Sequence, residues 1–92
     1  MPDRQTKLAV VIVNYRTADL VVQCLESLVQ ELASIDAKVV IVDNHSADDS
    51  IMVIQRWIAN HSGGHFVQVI AADTNDGFAA GNNVGMRAVA AE

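Results

Sequence analysis

The sequence predicts an α/β fold: an open, three-stranded parallel sheet in which strands and helices alternate in the order β-α-β-α-β-α. Two observations carry this expectation. The runs Leu8 to Val13 and Val39 to Val42 are apolar and rich in β-branched residues without polar alternation, which marks strands covered on both faces, as parallel strands are. Between and after them, apolar residues recur at three- and four-residue spacing, the period of a helix with one buried stripe. Alternating elements of this kind join neighbouring strands by right-handed crossovers and stack helices on the sheet.

The first strand covers Leu8 to Val13 and ends at Asn14. Thr17 is placed to cap a first helix, along which Leu20, Val21, Cys24, Leu25, Leu28 and Leu32 form one stripe as far as about Ser34. Val39 to Val42 forms the second strand and runs straight into the turn-forming cluster Asp43-Asn44-His45-Ser46. Ser46 with Asp49 three positions on resembles a capping box for a second helix carrying Ile51, Ile54, Trp57 and Ile58, which stops by Asn60, ahead of a turn at Gly63-Gly64. Phe66 to Ile70 is a third strand, interrupted by Gln68 and so expected near an edge of the sheet. A polar loop then opens a third helix from about Phe78, with Ala79, Ala80, Val84, Ala88 and Val89 on it.

The chain has 92 residues, of which 51% are hydrophobic, enough for one packed domain and far from a disordered composition. Its formal charge is −5 with no cluster of Lys or Arg, which argues against a nucleic-acid partner, because that binding rests on basic patches. Cys24 is the single cysteine, so no disulfide within the chain can form, and its place in the helical stripe predicts a small buried side chain. Six apolar residues follow the charged start MPDRQTK, far fewer than the roughly 20 that span a bilayer, so a cytoplasmic location without a membrane segment is expected.

In open α/β sheets ligands bind beyond the carboxyl ends of the strands. Here those ends are Asn14-Tyr15-Arg16, Asp43-Asn44 and the loop Asp73 to Gly77, all polar. The stretch Asn75 to Gly85 holds three glycines and three asparagines in eleven residues around a helix start. Glycine lets a ligand approach the backbone, and exposed helix N–H groups attract phosphate; the same glycines equally suit a turn and tight helix packing. Asp43 suits a hydrogen bond to a base or ribose, or alternatively a turn, while Tyr15 and Arg16 suit a planar base or a phosphate. His61 and His65 read as surface residues, and His45 as a loop residue near the site. No metal-ligand spacing and no catalytic triad is visible, and Asp73 with Asp76 reads as a turn.

The blocks VVIVNYRTADLVVQCLESL, VVIVDNHSADDS and NDGFAAGNNVGMRA, in this order and at these strand ends, resemble the start of family 2 inverting glycosyltransferases, notably their rhamnosyltransferase-like branch. The resemblance covers nearly the whole chain. It implies the Rossmann-like N-terminal half of the A-type glycosyltransferase fold, with residues 1–92 as a nucleotide-sugar-binding subdomain whose partner is a nucleoside-diphosphate sugar. It further implies that Asn14, Tyr15, Arg16, Asp43 and Asn44 contact the base and ribose, and that Asn75, Gly77, Phe78, Gly81 and Asn82 shape the donor pocket. Family members continue into a strand with an Asp-x-Asp motif that holds Mg²⁺ or Mn²⁺, and later a catalytic Asp. Neither occurs before Glu92, so the chain alone is expected to be inactive and to contain no catalytic or metal-binding residue of its own. The family's missing fourth strand lies beside strand one, whose open edge is therefore expected to recruit a second copy. The competing reading is a non-enzymatic nucleotide-binding or regulatory α/β module. A receiver-type module is disfavoured because strand one ends in Asn-Tyr-Arg and not in paired acids.

Overall fold

The computed structural model describes residues 8–61 and 66–90. Its elements follow the expected order: β1 (Leu8–Asn14), α1 (Ala18–Glu31), β2 (Ala37–Asp43), α2 (Ser50–Ala59), β3 (Val67–Ala71) and α3 (Phe78–Ala90). The strands pair in parallel in the spatial order β1-β2-β3. Val39, Val40, Ile41 and Val42 of central β2 are fully buried because helices cover both faces. One face carries α1 and α2, whose Val21, Leu25, Ile54 and Trp57 form a core with Val39 and Ile41. The other carries α3, whose Gly81 and Gly85 lie against Val13, Val11 and Val42.

Gly85 explains how α3 comes so close to the sheet. A Cβ built there would collide with Val11 Cγ1 and come within 3.2 Å of Val42 Cγ2. The glycine is therefore a packing requirement at the helix–sheet contact.

Several local expectations change. Helix α1 ends at Glu31, short of Ser34. Thr17 stands at its N-cap position but makes no side-chain cap, because its hydroxyl donates to Asn14 Oδ1 at 3.0 Å. Ser46 caps no helix: α2 starts four residues later behind Asp49, and the Ser46 hydroxyl donates to Asp43 at 2.6 Å. Cys24 is exposed, since the buried stripe of α1 is narrow and centred on Val21 and Leu25. β1 is one edge of this sheet, as the resemblance implied for strand one, and its Leu8 and Ala9 are exposed although its composition is that of a covered strand. β3 is the other edge, as Gln68 suggests. His61 is exposed, stacked on Trp57 with ring centroids 4.1 Å apart. The turn at Gly63-Gly64 and His65 lie outside the described residues.

Candidate functional site

Parallel register brings the strand ends together. Asn14 pairs with Asp43, and Asp43 with Ala71. One further step of the ladder follows each pair, with Asn44 N–H donating to Asn14 O at 2.8 Å and Ala72 N–H to Asp43 O at 2.9 Å. The three carboxyl ends therefore form one polar rim.

At the β1 and β2 ends, buried polar groups satisfy one another. Asn14 Nδ2 donates to Asp43 Oδ1 at 2.7 Å and to Ser46 Oγ at 3.3 Å. The Asn14 Oδ1 accepts from Thr17 N–H at 3.2 Å as well as from its hydroxyl, holding the entry to α1. The Asp43 carboxylate also accepts Ser46 N–H at 3.1 Å, so Asp43 forms a side-chain turn with the residue three positions on. Buried polar groups left without partners would cost about 1–3 kcal/mol each, which is why this set closes on itself. Ser46 is only 1% exposed, and it also accepts Arg16 N–H on its hydroxyl and Arg16 Nε–H on its carbonyl, both at 2.9 Å.

Around Ser46 the backbone leaves its preferred regions. Arg16, His45 and Ala47 have φ of 58°, 60° and 58°, the left-handed region that costs a non-glycine residue on the order of 1–3 kcal/mol. All three positions adjoin this hydrogen-bonded cluster, which offsets the strain.

The glycine-rich segment is tied to the end of β2 by Asn44. Its Nδ2 donates to Gly77 O at 2.8 Å and to Asn75 Oδ1 at 3.2 Å, while Asn75 Oδ1 also accepts Gly77 N–H at 3.2 Å. Gly77 O in turn accepts Gly81 N–H, so Asn44 sets the position from which α3 starts. Gly77 has φ of 96° with no atom within 4 Å of where a Cβ would stand, so its glycine serves the turn alone. At Gly81 a Cβ would stand 3.0 Å from Asn44 Oδ1 and from Val13 Cγ1, which leaves the Asn44 amide room against the helix.

Of the ten sequence-derived site residues, Asn14, Asp43, Asn44 and Gly81 are buried and form the floor. Tyr15, Arg16, Asn75, Gly77 and Phe78 are exposed around it, and Asn82 is partly buried on the first turns of α3. The Arg16 guanidinium lies over the Tyr15 ring, 5.1 Å from its centroid, and Phe78 is 70% exposed at the start of α3. A cleft of about 300 Å³ runs along the rim between Asn44, the loop Ala72 to Thr74, Asp76 and Ala80. A second of about 550 Å³ lies beside Arg16 between the starts of α1 and α2. On its lip, hydrogen bonds from the Ser50 side chain and from Ser50 N–H, the latter at 2.8 Å, hold the Asp48 carboxyl below its usual range. In the loop after β3 the Asp76 carboxylate accepts the Thr74 hydroxyl at 2.7 Å. Among the described residues, no three of His, Cys, Asp or Glu are grouped to hold a metal ion, and no helix is long and apolar enough to cross a membrane.

Sequence reasoning missed Ser46 as part of this site. The available signal was an Asp followed three residues later by Ser at a strand end, the spacing of a side-chain turn, which competes with the helix-cap reading of the same serine.

The model of a known protein family, Glycosyl transferase family 2, matches residues 9–92. No curated protein matches the chain. Among solved structures, a mannosyltransferase from Pyrobaculum calidifontis in complex with GDP-Man and Mn²⁺ superposes with a TM-score of 0.79 at 23% identity. The match covers 95% of this chain and 25% of that one, so this chain spans about a quarter of its structural relative. The likeness establishes the A-type glycosyltransferase fold.

Proposed function

The chain belongs to glycosyl transferase family 2, and from that membership we propose that it binds the nucleotide of a nucleoside-diphosphate hexose. In the longer enzyme that sugar passes, with inversion, to an acceptor hydroxyl. The observation that carries this reading is the convergence of three strand ends into one rim, with Asn14 bonded to Asp43 and Asn44 bonded to Gly77 across the element boundaries. The buried residues Asn14, Asp43 and Asn44 build the floor, Tyr15 and Arg16 receive the base and ribose, and the backbone from Gly77 to Asn82 with Phe78 borders the diphosphate and sugar. The mannosyltransferase bound to GDP-Man supports a donor of this chemical class, and the sequence blocks favour the rhamnosyltransferase-like branch.

When bound, a divalent cation such as Mg²⁺ or Mn²⁺ would supply charge neutralisation to the leaving diphosphate. The acidic residues among those described do not fit that ion, because no three of them are grouped to hold it. With no acidic cluster for a metal ion among the described residues, the chain is proposed to hold the donor without transferring the sugar.

Isothermal titration of the purified chain with GDP, UDP, dTDP and NAD tests the reading. Saturable binding of at least one nucleoside diphosphate, with NAD weaker, is expected. Silence toward all four ligands sinks it, and equal binding of NAD would favour the non-enzymatic nucleotide module.

A further inference from the structure

We infer that Ser46 is a positioning residue for nucleotide binding, which sets the Tyr15–Arg16 pair as a preformed shelf for the base. The inference rests on the donor-binding reading above. Ser46 is buried between the loops that follow β1 and β2, and both its backbone and its side chain reach the first of these loops. Its hydroxyl accepts Arg16 N–H and so holds the left-handed backbone of Arg16, a conformation that is uncommon and costly for an arginine. Its carbonyl takes Arg16 Nε–H, which aligns the guanidinium over the Tyr15 ring.

The consequence is preorganisation. Among the described residues neither terminal nitrogen of Arg16 has a hydrogen-bond partner, and Tyr15 is 42% exposed, so the pair presents a planar, cationic surface at the mouth of the site. A guanidinium on an aromatic ring suits a planar base with carbonyl oxygens, because it offers stacking area and N–H donors together. Arg16 itself carries much torsional freedom, and ordering it on binding would weaken affinity. Ser46 removes that requirement by ordering it beforehand. Asp43 anchors the device through both carboxylate oxygens, which places Ser46 independently of any ligand.

A double-mutant cycle tests the inference. Ser46→Ala, Arg16→Ala and the pair are titrated with the nucleoside diphosphate that the unaltered chain binds most tightly, and thermal unfolding is followed in parallel. Ser46→Ala is expected to weaken binding about tenfold in the native background and to have less than a twofold effect once Arg16 is alanine. Equal losses in both backgrounds, or native affinity in Ser46→Ala, overturn the inference while leaving the donor-binding reading intact. Silence of the unaltered chain overturns that reading and the inference with it. Should Ser46→Ala unfold, Arg16→Lys at an exposed position decides: a fall of about tenfold supports a shelf that needs the guanidinium, and native affinity overturns it.

Discussion

Asp43 and Gly85 show how differently two residues can be needed. The Asp43 carboxylate accepts hydrogen bonds from Asn14, from the Ser46 hydroxyl and from Ser46 N–H, all within a buried cluster. Asp43→Ala would leave those donors without partners, and a loss of about 2–3 kcal/mol is expected in urea unfolding. A change below about 0.5 kcal/mol would show that the cluster is not a unit. Gly85→Ala forces a methyl into Val11, so a loss of about 1–3 kcal/mol is expected, visible as a thermal midpoint lower by roughly 4–8 °C per kcal/mol. Gly77→Ala meets no atom and suffers only from its φ of 96°, so its effect on stability should be smaller, about 1 kcal/mol. If the two substitutions rank the other way, the close approach of α3 to β1 is wrong.

Elements here begin and end through their neighbours more than through their own caps. Neither α1 nor α2 has a side-chain cap at its N-terminus. The start of α1 is held by Asn14 from the strand before it, and the start of α2 by Asp48, which accepts Ser50 N–H. Because the Asp48 carboxyl sits below its ordinary value of 3.8 in the folded chain, its contribution is present above that value. It is lost as pH falls through the lower folded value. The unfolding midpoints of the native chain and Asp48→Ala should therefore differ near about pH 7 and converge as pH falls well below 3.8. A gap that stays constant over that range would remove Asp48 from the α2 start. At α3 the same logic runs through Asn44, which reaches across from β2 to hold Gly77 O.

For the molecule as a whole, the sheet is asymmetric in its needs. Its centre is fully covered, whereas β1 presents an outer edge with no partner strand among the described residues. Unpaired edges of apolar strands recruit other chains. Light scattering of the purified chain is expected to show a dimer or larger species as concentration rises. Monomer throughout the accessible range would count against edge pairing. The chain spans about a quarter of its structural relative.

The order of elements was legible in the sequence because periodicity is a local property: an unbroken β-branched run or a three-four stripe means the same wherever the chain goes. The polar strand ends were equally legible, and with the glycine-rich block they identified the family and located the rim. Tertiary structure alone decided what each polar group does there. Asn14, Asp43, Ser46 and Arg16 act on one another across about thirty residues of sequence, and only the parallel register of β1 on β2 makes Asn14 and Asp43 neighbours. The exposure of Cys24 was settled by the same means, because burial depends on which neighbours arrive and no run of residues encodes that by itself.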